Sequence, residues 1–210
     1  MSDLKPTSDS SPDHYFTARP SSPSAPREVS VELRGVRLSL LTDRGVFSYG
    51  EIDRASRLLA TQMTLPPAGR ILDWGAGYGF LGLLAAALCP DSQVTLVEVN
   101  ERAAALADDN ARRNGLGNVR VLTGEAPGVL GEERFETVIS NPPLHVGRAA
   151  VLAVIDDAAT RLTPGGELWL VVATSKGAKG FLAHMANHFA ATRTVTISGG
   201  NRVLWARRAE

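Results

Sequence analysis

The stretch "RILDWGAGYGFLGLLAAALC", residues 70–89, changes the rhythm of the chain. A short apolar run breaks on three alternating glycines, Gly75, Gly77 and Gly79, and resumes as a longer run of small and apolar side chains. Such a pattern reads as a buried strand, a tight loop and a helix. Outward from it the alternation repeats. "VTLVEV", "VRVL", "ETVIS" and "ELWLVVA" are short runs rich in Val, Ile and Leu, while "ERAAALADDNARRN", "RAAVLAVIDDAATRL" and "AKGFLAHMANHFA" are helical in period. Strands alternating with helices predict an α/β fold, a doubly wound Rossmann-like parallel sheet with right-handed crossovers. The final "RTVTISGGNRVLWAR" places two β-rich runs around Ser198-Gly199-Gly200-Asn201, a C-terminal hairpin that adds antiparallel strands at one edge.

Upstream, "VSVELRG" and "VRLSLLTDRG" are alternating runs broken at Arg34-Gly35, which predict a hairpin, and "EIDRASRLLATQM" has helical spacing. The expected organisation is one domain: a disordered Ser/Pro/Asp-rich tail over 1–13, a small β-hairpin and helix annex over 14–69, and a core over 70–210. The annex is too poor in apolar residues to fold alone. Of 210 residues, 22 are basic and 22 acidic, so net charge points to no partner, but the signs are segregated. Residues 71–160 carry net −6 and residues 161–210 net +5, which makes the C-terminal end a docking face for an anion or simply solvated surface. Cys89 is the only cysteine, excluding an intrachain disulfide and a thiolate metal site. The N-terminus has no signal-peptide core and no apolar run approaches the ~20 residues of a membrane span, so a cytoplasmic protein is expected.

Ligands of open α/β sheets bind at the carboxyl ends of the strands, and the residues there are informative. In "DWGAGYGF" the glycines, with Ala76 between the first two, let a ligand lie against bare N–H groups at a helix N-terminus. A dinucleotide fingerprint wants a small third residue where this chain has Phe80, and Asp73 at the loop's mouth repels a pyrophosphate. An acid there suits a ligand bearing an ammonium group; a purely structural tight turn stays open. Glu98, followed by Val99, ends the second strand in the place of a carboxylate that accepts both hydroxyls of a ribose. Glu125 and the Ala126 N–H, after the third strand, offer partners for an adenine, although a plain loop reads as well. Together these ends describe a site for an adenosine with a cationic amino-acid tail, which S-adenosylmethionine fits.

The fourth strand ends in "SNPPLHVG". Proline fixes φ and has no N–H, so Asn141-Pro142-Pro143 is a stiff elbow that frees the Pro142 carbonyl from sheet pairing and holds Asn141 extended. The Asn141 amide oxygen and that carbonyl are then two neighbouring acceptors for the two hydrogens of a planar –NH2 group. Gripping both pulls the nitrogen toward tetrahedral geometry and aims its lone pair, which is catalysis by orientation and electrostatics.

"ILDWGAGYGFLG", the Glu98 strand end and "SNPPLHVG" together resemble the class I S-adenosylmethionine-dependent methyltransferases of the small-domain type. With "HYF" (His14, Tyr15, Phe16), "GVFSYG" (residues 45–50) and "SGGNRVL", the chain resembles the bacterial small-subunit ribosomal RNA guanine-N2 methyltransferases and their single-domain relatives. The resemblance implies a seven-stranded sheet with an antiparallel last strand and S-adenosylmethionine held by Asp73, Gly75, Ala76, Gly77, Glu98, Val99, Glu125 and Ala126, with Phe47 closing over it. It also implies catalysis at Asn141, Pro142, Pro143 and Leu144, an RNA substrate, and neither metal nor membrane. This chain departs from the family at Leu144, where the rRNA enzymes carry an aromatic whose stacking is worth ~1–3 kcal/mol per base. It also lacks the degenerate N-terminal copy of the domain that better-known members carry. Methylation of a protein glutamine amide needs the same two acceptors and is the enzymatic alternative; a non-catalytic assembly factor has little use for them. His184 and His188 have zinc-helix spacing, but Met185 replaces the catalytic Glu and no third ligand is apparent. His145 reads as a packing residue or a proton relay, and Arg202 as a hairpin arginine or a phosphate contact.

Overall fold

The computed structural model describes residues 18–143 and 147–210. The expected tail over 1–13, His14, Tyr15, Phe16, Leu144 and His145 lie outside the described residues. Strands β1 (Arg27–Leu33) and β2 (Val36–Thr42) pair antiparallel into a sheet of their own. Their turn residues Arg34 and Gly35 both have positive φ, 53° and 79°, the handedness that matches the twist of the flanking strands. Helix α1 (Arg54–Gln62) follows, capped by Asp53, whose carboxylate accepts the Ser56 N–H at 2.8 Å.

Then come β3 (Ala68–Trp74), α2 (Phe80–Leu88), β4 (Asp91–Glu98), α3 (Glu101–Arg113), β5 (Val119–Thr123), α4 (Ala126–Val129) and β6 (Phe135–Ser140). The chain closes with α5 (Arg148–Arg161), β7 (Leu162–Ala173), α6 (Ala178–Met185), β8 (Ala191–Ser198) and β9 (Asn201–Arg207). The seven-stranded sheet has the order β5-β4-β3-β6-β7-β9-β8. β3 through β7 pair in parallel, and β9 runs antiparallel to both of its neighbours, so the C-terminal hairpin contributes one reversed strand rather than two. The one-turn helix α4 is too short to leave a period in the sequence. β7 begins at Leu162, ahead of its apolar run, because Phe135 pairs with Leu162 across an irregularity in register.

Neighbouring strand residues go to opposite faces, as a two-residue period requires. Ile71, Leu96, Ile139, Trp169 and Val171 lie in one core, and Leu72, Val97, Val138, Leu168 and Leu170 in the other. α2 and α3 cover part of the first face, and α5 and α6 the second. Over β7 and β9 the first face is covered by the annex: α1 packs on both strands and sets Leu59 and Met63 against the core of Trp169 and Val203. No helix among the described residues is long and apolar enough to cross a membrane.

The annex sheet is also tied down by side-chain amides. On α3, Asn110 accepts the Leu41 N–H at 2.7 Å and donates to the Leu41 carbonyl at 3.0 Å and the Tyr78 carbonyl at 2.9 Å. One turn on, Asn114 does the same to Ser39, at 3.0 and 2.8 Å. Two amides at helical spacing thus serve residues i and i+2 of β2 as a neighbouring strand would. Asn110 is fully buried, so Asn110→Ala strands these backbone groups and is expected to lower the unfolding free energy by about 2–3 kcal/mol in urea denaturation. The change of its half-buried neighbour, Asp109→Ala, is expected to cost less than about 0.5 kcal/mol. Equal, small losses would mean that the amides do not hold the annex.

Candidate active site

From β3 the chain moves outward to β4 and β5, then returns to β6 on the opposite side of β3. Where strand order reverses, the connections diverge and leave a crevice at the carboxyl ends. A cavity of about 790 Å³ opens at these ends. It is lined by the glycine loop, by Glu98 and Val99 after β4, by Glu125 and Ala126 after β5, by Asn141, Pro142 and Pro143 after β6, and by Phe47 and Asp53 from the annex.

The loop after β3 is anchored from behind, since the Gly75 and Ala76 N–H groups both donate to the Val97 carbonyl, at 2.9 and 3.0 Å. Gly75 and Gly77 have φ of 76° and 59°, and a Cβ at either would meet no heavy atom within 4 Å, so bare backbone faces open space. Gly82 serves packing instead, because a Cβ there would meet Leu96 at 2.6 Å, and its absence lets α2 lie close on β4. Glu98 is 7% exposed and accepts N–H groups from Gly77 (2.7 Å, Oε2) and Asn100 (2.9 Å, Oε1). Burial holds its carboxyl above the usual carboxylate range, opposed by these N–H donors.

Asp73, expected at the mouth of the loop, is 1% exposed and does not line the cavity. It lies under the loop, where Oδ2 accepts the Gly82 N–H at 2.7 Å and Oδ1 is buried without a partner among the described residues. Burial, with the Glu98 charge adding to it, pushes the Asp73 carboxyl up to about 7. A carboxyl raised this far, with one buried oxygen unpaired among the described residues, is of the kind that clusters at functional sites. The open glycine backbone, the Glu98 carboxylate and the Ala126 end of α4 line a cavity of ordinary ligand size that fits a nucleoside, with the Asp73 carboxyl beneath the loop rather than in the lining.

The facing wall carries the elbow. β6 is joined to β3 by the Ser140 hydroxyl, which donates to the Trp74 carbonyl at 2.6 Å. Asn141 follows, and its Nδ2 donates to Asp53 Oδ2 at 2.9 Å and Ser56 Oγ at 2.8 Å. Both hydrogens of the amide are therefore taken by the first turn of α1. The Tyr78 hydroxyl, in the glycine loop, donates to the Glu51 carbonyl at 2.9 Å, so the annex is fastened to both walls of the crevice. Sequence reasoning alone misses Asp53 and Ser56. The available signal is an Asp three residues ahead of a Ser at the start of a helical run, which announces a cap and nothing more.

Other residues of interest sit elsewhere. His184 Nε2 meets Asp156 Oδ1 at 2.6 Å and His188 Nε2 meets it at 3.3 Å, so α5 supplies a third polar group to the histidine pair, but none of the three lines the cavity. Trp169 is core. Arg202 reaches Thr194 Oγ1 at 3.4 Å across the C-terminal hairpin and does not line the cavity, whereas its neighbour Asn201 does.

The family model of the methyltransferase small domain matches residues 37–205. Among relatives, the chain is 33% identical over 198 residues to the uncharacterized protein YbxB of Bacillus subtilis, covering 93% of this chain and 98% of that protein. It is 33% identical over 200 residues to ribosomal RNA small subunit methyltransferase C of Pseudomonas aeruginosa strain UCBPP-PA14, covering 91% of this chain and 58% of the relative. Among solved structures, the T. thermophilus 16S rRNA N2 G1207 methyltransferase RsmC, in complex with AdoMet and guanosine, superposes with a TM-score of 0.78 at 31% identity, over 89% of this chain and 51% of that one. The chain thus spans little more than half the length of the rRNA enzymes it matches and nearly all of YbxB. The glycine loop, the acidic strand ends and the matched length agree: the chain belongs to the methyltransferase small-domain family, whose members use S-adenosylmethionine.

Proposed function

We propose that the chain methylates the exocyclic amine of a nucleobase, guanine N2 of small-subunit ribosomal RNA, with S-adenosylmethionine as donor. The observation that carries this reading is that Asn141 faces the cavity of the glycine loop and Glu98 with both of its amide hydrogens already engaged. Its remaining polar atom, Oδ1, is an acceptor only. The similarity to an enzyme solved with AdoMet and guanosine supports the choice of base.

On this reading the backbone of Gly75 and Gly77 and the Glu98 carboxylate hold the cofactor, Glu125 and the Ala126 N–H bracket its adenine, Asp73 balances its ammonium group and Phe47 covers it. When bound, the cofactor would supply a sulfonium methyl group whose carbon an amine nitrogen attacks as the C–S bond breaks and the thioether sulfur leaves. The protein's part is to present that nitrogen. Asn141 Oδ1 and the Pro142 carbonyl accept its two hydrogens, and Pro142 and Pro143 keep these acceptors from relaxing into the sheet ladder. A delocalised amine is a weak nucleophile, and two fixed acceptors raise the share of time its lone pair spends on the productive line. The proton leaves after transfer, so no strong base is required in advance.

Glu98→Ala is expected to weaken S-adenosylhomocysteine binding about ten- to a hundredfold in calorimetry. Asn141→Ala is expected to leave that affinity intact and to lower methyl transfer into small-subunit rRNA at least about a hundredfold. Labelled methyl groups appearing in protein rather than RNA fractions would point instead to a glutamine amide, and full turnover by Asn141→Ala would remove the role given to the elbow.

A further expectation follows from Asp73. Its carboxyl is largely protonated below a pH of about 7 in the free protein, and a neighbouring ammonium group favours the carboxylate. Binding of S-adenosylhomocysteine at pH 6 should therefore release a proton, detectable with buffers of different ionisation enthalpy. Affinity should rise with pH up to about 7 and level off above it. Asp73→Asn should abolish both effects; a pH-independent affinity in the unaltered protein would show that Asp73 does not meet the cation.

A further inference from the structure

We infer that Asp53 and Ser56, at the start of α1, are positioning residues for methyl transfer: they hold both amide hydrogens of Asn141 and thereby aim its Oδ1 at the substrate amine. The inference rests on the reading that Asn141 grips that amine. Asn141 is otherwise ambiguous, because an amide carries an acceptor at one end and donors at the other, and the reverse orientation would offer the substrate's N–H groups another N–H. A carboxylate resolves the ambiguity, since it only accepts. With Asp53 Oδ2 at 2.9 Å, the flipped amide would set oxygen against a carboxylate oxygen. Ser56 Oγ at 2.8 Å takes the second hydrogen, from a residue 7% exposed at the wall of the cavity.

The clamp is itself fixed. The same Asp53 Oδ2 accepts the Ser56 N–H at 2.8 Å as the cap of α1, and α1 is seated on β7 and β9 through Leu59 and Met63. There is an electronic consequence as well. Donation of both amide hydrogens, one of them to an anion, draws electron density toward Oδ1 and strengthens it as an acceptor. A simpler account is that these bonds only tether the annex to β6. The two accounts differ in what they predict for kcat when stability is unchanged.

Serine caps a helix about as well as aspartate, but it is too short to hold the cap and reach Asn141 together. The double variant Asp53→Ser, Ser56→Ala is assayed with S-adenosylmethionine and an unmodified small-subunit rRNA transcript. Its kcat is expected to fall about ten- to a hundredfold, with the KM for RNA, the affinity for S-adenosylhomocysteine and the melting temperature nearly unchanged. Asp53→Asn, which keeps an acceptor oxygen and loses the charge, should fall between wild type and Asp53→Ser in kcat alone. Unchanged kcat in the double variant, alongside an inactive Asn141→Ala, overturns the clamp and leaves the proposed reaction standing. An active Asn141→Ala instead strikes at the reaction itself.

One measurement needs no turnover. In wild-type protein labelled with ¹⁵N, the Asn141 side-chain amide protons should exchange slowly with water. Free exchange there overturns the clamp, and slow exchange that Ser56→Ala speeds up supports it.

Discussion

A sheet that sends apolar side chains to both faces cannot leave either face open to water, and that constraint organises this molecule. The crossovers give α2 and α3 to one face and α5 and α6 to the other. On the first face this leaves Trp169, Val171 and Val203, carried by β7 and β9, without a crossover helix; the annex supplies one in α1. Burial of large apolar side chains is worth roughly 1.5–3 kcal/mol each, so the annex belongs to the stability of the core. The same docking brings the first turn of α1 to the end of β6, where Asn141 emerges. A requirement of packing thereby delivers two polar side chains to a place where chemistry can use them.

A second tension lies beneath the glycine loop. Asp73 and Glu98 are both carboxyl groups held above their ordinary range by burial, and the Glu98 charge adds to the cost of ionising Asp73. Glu98 is partly compensated by the Gly77 and Asn100 N–H groups; Asp73 keeps one oxygen with no donor among the described residues. Two such acids side by side weaken a free protein. On the proposed reading a ligand's positive charge and hydroxyls offset the cost, which is the usual trade between stability and function at a binding site.

How much of this was legible in the sequence depends on whether a local rule governed the residue. The glycine loop, the strand-end Glu98 and the Asn141-Pro142-Pro143 elbow stood out because special backbone geometry restricts which residues serve there. The strand and helix succession was legible from periodicity and turn residues, including the hairpin broken at Arg34-Gly35. Asp73 shows a period applied too loosely. It shares strand parity with Ile71, which faces α2, so alternation along β3 directs it under that helix and onto the Gly82 N–H rather than into the mouth of the crevice. The partners of Asn141 were not legible at all. Asp53 and Ser56 lie far from it in sequence, and only the seating of α1 on β7 and β9 brings them together.

That long-range contact also bears on why residue 141 is an asparagine. A carboxylate in its place offers two acceptors to a substrate amine, yet it stands beside the Asp53 carboxylate, within the 2.9 Å now spanned by an N–H···O bond. One of the two would have to take up a proton or turn away, and the aim of the acceptor would then vary with pH and with the position of the annex. The amide donates to α1 and keeps an oxygen that only accepts, so the demands of scaffold and of the proposed substrate are met by one neutral group. On the proposed reading, the cap of a scaffold helix and the orientation of a nucleophile are two uses of the same carboxylate oxygen. Changes in how α1 sits on β7 then reach the reacting nitrogen without altering any residue that touches it.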